Sequence, residues 1–181
     1  MQGAIQDRLA ADRDRLAWRR LRPNIGKLPH YKRYCKTSAY DDYHAAARAL
    51  VAGQPMTASQ SQMAAGLQGE ITASGILLPV RQTLFHGRAD RELDSAKPYP
   101  AFVSTTLDPI VALNSALRRS LPRPGSTPIV YVLTLRSSVP GLFAQSGKLG
   151  EWEVTLGYGG TVNATALHNA GNFLLIEADI V

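Results

Sequence analysis

Apolar residues along this chain recur first at helical intervals and then, beyond residue 75, in short strand-like runs. In residues 5–22, Ile5, Leu9, Leu16 and Trp18 or Leu21 fall among Arg8, Arg13, Arg15, Arg19, Arg20 and Arg22. That pattern predicts a basic amphipathic helix. Pro23-Asn24-Ile25-Gly26 stops it, Pro29 marks a second break before Tyr31, and the interval reads as a linker or loop. Ser38 or Asp41 caps a helix running through Tyr43, Ala46, Ala47 and Leu50, ended by Gly53 and Pro55. Residues 57–67, with Ala58, Met63, Ala64 and Leu67, predict a second helix closed by Gly66 or Gly69.

Strands are expected at residues 82–86, 101–104, 129–135, 152–156, 161–167 and 173–180. One helix interrupts them: Asp108 is its N-cap, Pro109 takes the favoured first position, and Ile110, Leu113, Ala116, Leu117 and Leu121 form an apolar stripe. Helices first, then strands with one inserted helix, give an α+β chain rather than a doubly wound parallel sheet. There is no internal repeat.

Composition narrows the picture. At 181 residues and 45% hydrophobic, the chain suits one domain with a full core and an appended arm. A single cysteine, Cys35, excludes an intramolecular disulfide and a thiolate metal site. No apolar h-region opens the chain and no run is long enough to span a membrane. The net charge of +6 is placed entirely N-terminally: residues 1–50 hold 11 Lys/Arg against 5 Asp/Glu, residues 51–181 hold 9 against 9. We therefore divide the chain into a basic arm, 1–36, and a body, 37–181. Such an arm fits nucleic acid, an anionic membrane, an acidic partner or solubility alone. It lacks interleaved aromatics beyond Trp18, Tyr31 and Tyr34, so nucleic acid is not the expected partner.

The candidate chemistry lies in Glu151-Trp152-Glu153. In an extended segment Glu151 and Glu153 point one way and Trp152 and Val154 the other, which makes one acidic face. Two converging carboxylates repel unless a cation or a developing positive charge sits between them. An isolated Glu-x-Glu is more often a solvated strand edge. Here two motifs precede it: Leu84-Phe85-His86-Gly87-Arg88 and Ala101-Phe102-Val103-Ser104-Thr105-Thr106.

Taken in that order, the three motifs resemble the ADP-ribosyltransferase toxin and effector family, in the Arg-Ser-Glu class, over roughly residues 40–181. The resemblance implies a split antiparallel β-sandwich with N-terminal flanking helices and NAD in the cleft. It implies that Glu153 is the catalytic glutamate, stabilising an oxocarbenium-like ribose as nicotinamide departs. Glu151 would face the acceptor; a guanidinium stays protonated, so a carboxylate there goes with arginine acceptors. Ser104 would support Glu153 and the nicotinamide pocket, with Thr105 and Thr106 stiffening the strand end. The family carries arginine where this chain has His86, and a neutral imidazole lacks the fork that grips a diphosphate. Two readings then stand for this motif: His86 binds the adenosine ribose, as in the diphtheria-toxin-like branch where His-Gly opens the motif, or Arg88, beyond Gly87 on the same strand face, supplies the charge.

Other signals fall away. Gly141 to Leu149 has the wrong glycine spacing for a phosphate loop and reads as a mobile loop before the Glu-x-Glu strand. Gly157-Tyr158-Gly159-Gly160 reads as a hairpin turn. His30, His44 and His168 give no metal spacing, so no metal is expected. The expected activity is NAD-dependent mono-ADP-ribosylation of arginine on a host protein, by a bacterial toxin or effector secreted by a non-Sec route such as type III secretion. The alternatives are a binding module that keeps this fold but turns over NAD poorly, and a nucleic-acid or membrane-surface binder acting through the arm.

Overall fold

The computed structural model describes residues 27–35, 37–89, 97–98, 101–122, 125–144 and 153–181. Its elements run α1 Pro29–Tyr34, α2 Thr37–Val51, α3 Ala58–Ser74, β1 Ile76–Leu78, β2 Thr83–Arg88, β3 Lys97–Pro98, β4 Val103–Thr106, α4 Pro109–Ser120, β5 Ile129–Leu135, β6 Val139–Ala144, β7 Glu153–Leu156, β8 Thr161–Asn169 and β9 Leu174–Ile180. The basic helix expected at 5–22 lies outside the described residues.

Two helices, α3 and α4, begin at a side chain that caps their first backbone donors, whereas Ser38 and Asp41, expected as caps, lie within α2. Thr57 opens α3 with a capping box: its hydroxyl accepts from the Gln60 N–H at 3.2 Å and the Gln60 side chain accepts from the Thr57 N–H at 2.9 Å. The helix runs through both Gly66 and Gly69, which were expected to close it, because Met63, Ala64, Leu67 and Ile71 form a buried stripe that outweighs the glycine propensity cost. Gly66 also serves packing, since a Cβ there would lie 2.3 Å from the His30 ring. Pro29, read as a break, instead occupies the first turn of α1, where no N–H is missed.

Asp108 caps α4 as expected, accepting from the Ile110 N–H at 2.9 Å. The expected apolar stripe is only partly the buried one. Ala112 and Ala116 are buried and Leu113 packs beside them, whereas Ile110, Leu117 and Leu121 are 44%, 36% and 83% exposed. Close approach decides this, because α4 lies so near β2 that only small side chains fit beneath it.

The strands form one sheet in the order β1-β6-β7-β4-β2-β5-β9-β8-β3, antiparallel throughout except for the parallel pair β5 and β9. Between β4 and β2 the ladder narrows to a single pair, Phe85 opposite Thr106. That link divides the sheet into two halves, and both line one core: Leu78, Val103, Phe143, Val154 and Leu156 from one side meet Leu84, Tyr131, Leu133, Ile176 and Ala178 from the other. The architecture is the α+β, split, mainly antiparallel sandwich with N-terminal flanking helices that the motifs implied. A second cluster joins α1, α2 and α3 to Phe102 and Leu142, and a third seats α4 on Phe85 and Val130.

Two loop readings are corrected. Residues 141–144 belong to β6, paired with β7 from Gly141 opposite Leu156 to Ala144 opposite Glu153; the rest of that expected loop lies outside the described residues. Pro140 and Gly141 hide the strand, yet Gly141 is where the chains approach closely, a Cβ there standing 2.9 Å from Val154 Cγ1. Residues 157–160 make no hairpin, because β7 and β8 are not neighbours and the segment crosses from one half-sheet to the other. The Tyr158 N–H donates to Gln68 Oε1 at 3.2 Å, fastening the crossing to α3. Among the described residues no helix is long and apolar enough to cross a membrane.

Candidate active site

Strand alternation sets the site. On β7, Val154 and Leu156 enter the sandwich core, so Glu153 and Thr155 share the other face. Antiparallel register with β4 places Ser104 opposite Thr155 and Thr106 opposite Glu153. Ser104 therefore lies on the face of Glu153, and its hydroxyl donates to Glu153 Oε1. Thr155 Oγ1 donates to the same oxygen at 3.4 Å. A carboxylate with two hydroxyl donors is held in one orientation and stabilised in its charged form.

One strand away, His86 closes the gap where the β4–β2 ladder has narrowed. Its Nδ1 lies 2.6 Å from the Ser104 carbonyl oxygen. A carbonyl only accepts, so Nδ1 carries the proton and Nε2 is left as an acceptor. Burial pushes the imidazole down to about 3, with the Arg88 guanidinium adding to the effect and the Ser104 bond opposing it. The ring is neutral at physiological pH, and its one proton is committed.

Gly87 is required by contact rather than by conformation. A Cβ there would fall 1.8 Å from the Ala112 carbonyl oxygen and 2.9 Å from the Ala116 nitrogen, both backbone atoms of α4. Arg88 follows at the end of β2, and its charge reaches His86, His44 and Tyr40. Thr105 points into the opposite face and donates to the Val154 carbonyl at 2.7 Å. Thr106 accepts from the Asp108 N–H at 3.1 Å, tying β4 to the cap of α4. Thr105 fastens β4 to β7 and Thr106 the start of α4; Glu151 lies outside the described residues.

The structure thus gathers Glu153, Ser104 and His86 on three adjacent strands, with Gly87 and Arg88 continuing β2. It also adds groups from the helices. Tyr31 of α1 is fully buried, with its hydroxyl 3.4 Å from Thr155 Oγ1. Burial and then Glu153 push Tyr31 well above the usual phenol range. Tyr34 stacks on Tyr31 at a ring separation of 6.1 Å, lies tilted against Tyr40 at 5.0 Å and meets His44 Nε2 through its hydroxyl at 3.2 Å. Burial first, then Arg88, holds His44 down at about 3. Thr155 was legible by alternation from Glu153; Tyr31 carried no signal, since nothing local links residue 31 to residue 155.

Chemically, this is an oriented carboxylate beside a neutral acceptor imidazole and a guanidinium. It can stabilise positive charge developing at a bound sugar and accept from hydroxyls. Among the described residues no group of three or more metal-ligating side chains gathers.

No protein-family model and no curated protein sequence matches the chain. Solved structures do. The Clostridium limosum C3 exoenzyme aligns at TM-score 0.62 with 15% identity, covering 98% of this chain and 94% of its own. The Vis toxin, an ADP-ribosyltransferase from Vibrio splendidus, aligns at 0.59 with 15% identity, covering 99% and 83%. Exoenzyme S from Pseudomonas aeruginosa, solved with human 14-3-3 protein beta and carba-NAD, aligns at 0.55 with 15% identity, covering 81% and 68%. At these identities the likeness is one of fold.

Proposed function

We propose that the chain is a mono-ADP-ribosyltransferase that takes NAD as substrate and transfers ADP-ribose to arginine of a host protein. The observation that carries this reading is the Ser104 hydroxyl on the Glu153 carboxylate, one strand from a buried histidine. One residue from each of the three motifs that resemble this family, His86, Ser104 and Glu153, stands on three adjacent strands of that fold, and the structural neighbours include the Vis toxin, an ADP-ribosyltransferase, and exoenzyme S bound to carba-NAD.

NAD breaks its bond from ribose to nicotinamide, leaving positive charge on the sugar. Glu153, oriented by Ser104 and Thr155, stabilises that charge and accepts from a ribose hydroxyl. His86 Nε2, an acceptor only, suits an adenosine-ribose hydroxyl and not a phosphate, so the charge for the diphosphate falls to Arg88. Glu151 orients the acceptor guanidinium and receives its proton. The remaining parts of the reading are secretion by a non-Sec route into a host cell and no role for nucleic acid.

The test uses adenylate-labelled NAD and agmatine, a soluble guanidinium. Wild-type protein transfers label to agmatine, and Glu153→Ala lowers the rate by about 10²-fold or more. Absence of transfer, of NAD hydrolysis and of NAD binding in the wild type overturns the reading in favour of a binding module.

A further inference from the structure

We propose that Tyr31 is a positioning residue for the Glu153 carboxylate, acting through Thr155, and that Glu70 fixes Tyr31 by gripping the first turn of α1. The inference rests on the reading of Glu153 as the group beside which positive charge develops.

Tyr31 and Thr155 are both wholly buried, so their hydroxyls must find partners inside the protein. Tyr31 Oη lies 3.4 Å from Thr155 Oγ1, and Thr155 Oγ1 lies 3.4 Å from Glu153 Oε1. The carboxylate only accepts, so Thr155 donates to it; Thr155 is then the acceptor for Tyr31. The chain runs in one direction, from phenol to carboxylate. Tyr31 remains protonated, because burial and the charge of Glu153 both push its phenol up. Ser104 acts on the same Oε1 from β4, so Glu153 is steadied from a strand and from a helix.

A helix as short as α1 does not hold itself in place. Glu70 of α3 holds it: one carboxylate oxygen accepts from the His30 N–H at 2.9 Å and the other from the Tyr31 N–H at 2.7 Å. These are donors that the start of a helix leaves without partners, and a negative charge is favoured there. His30 adds a second tie, its Nδ1 3.0 Å from the Tyr43 hydroxyl of α2, while Gly66 gives its ring room against α3. Stacking on Tyr34 accounts for the ring of Tyr31, and its hydroxyl, which meets Thr155, also meets the Cys35 side chain. Among the described residues, groups whose charge couples to Glu153 include Tyr31, Tyr34 and Cys35 at α1 and Tyr40 on α2.

The experiment compares the full chain with Tyr31→Phe, Thr155→Val, Thr155→Ser and Glu70→Ala by two readouts. In a carboxylate-carbon NMR titration, the Glu153 midpoint moves to higher pH in Thr155→Val, because a donor to the charged form is gone, and by less in Tyr31→Phe, because that donor loses the phenol that orients and polarises it. In steady-state NAD hydrolysis, kcat falls about three- to tenfold with KM for NAD unchanged, and the acid limb of the rate profile moves up in pH. Thr155→Ser keeps the hydroxyl and restores both; Glu70→Ala reproduces the Tyr31→Phe change. If Tyr31→Phe and Thr155→Val lower only the melting temperature, with the Glu153 midpoint and kcat unchanged, the inference is overturned. If wild type fails to hydrolyse NAD, or Glu153→Ala hydrolyses it equally well, the functional reading fails, and the titration still decides whether Tyr31 acts on Glu153.

Discussion

On β7, Glu153 is approached by hydroxyls; on β2, two strands across the sheet, His86 is approached by backbone. Ser104 and Thr155 deliver protons to the carboxylate, and the arrangement favours charge. His86 gives its proton to a carbonyl, sits 8% exposed beneath neighbouring strands, and is followed by a glycine pressed against the backbone of α4. One side is a charged group supported by side chains, the other a neutral group clamped by main chain. Side-chain support tunes a carboxylate and tolerates small changes. Main-chain clamping sets position and tolerates almost none.

That contrast can be broken most forcefully at Gly87. Any side chain there collides with α4 backbone that cannot rotate aside, so Gly87→Ala destabilises by roughly 3 kcal/mol and loosens α4 from β2. Chemical denaturation measures the loss; a change within a few tenths of a kcal/mol would show that α4 shifts freely.

Acid comes next in size. His44 and His86 both titrate near 3 in the folded chain, against about 6.5 when unfolded. Below about pH 6.5 the unfolded state binds the extra protons, so the stability these rings allow is full above that pH and falls as pH drops toward 3. Each ring costs up to about 2 kcal/mol between pH 7 and pH 5, and His44→Gln halves the slope of stability against pH in that window. A slope unaltered by His44→Gln would mean that the ring is solvated or charged in the fold.

Ser104→Ala is the mildest disturbance and sharpens the comparison. It removes one donor from Glu153 while leaving the Ser104 carbonyl, and so the His86 bond, in place. On the proposed reading, NAD turnover falls about tenfold with stability little changed, as expected for one hydrogen bond to a charged group. An equal loss of stability and activity would instead place Ser104 with the clamped half.

How far each half was legible follows the same division. Period-two alternation places Glu153 and Thr155 on one face, and the capped start at Asp108-Pro109 fixes where α4 begins. The apolar stripe of α4 was misjudged, because Ile110, Leu117 and Leu121 have the right chemistry but too much bulk to lie over Gly87. The linker or loop reading of the interval from Pro23 to the break at Pro29 gave no hint that Pro29–Tyr34 is a helix gripped by Glu70, since that partner lies forty residues away. β6 was missed because Pro140 and Gly141 argue against a strand until a neighbour supplies the pairing.

What the sequence by itself determined is local: helix caps, the alternation of faces along strands, the order of the three motifs and the absence of a second cysteine. These depend on residues within a turn or a pleat of one another. Only the tertiary structure decided that Ser104 meets Glu153, that His86 spends its proton on a backbone carbonyl, and that a tyrosine from α1 stands behind Thr155. Those contacts depend on strand register and helix docking, which bring together residues far apart in the chain, and no short-range pattern encodes that distance.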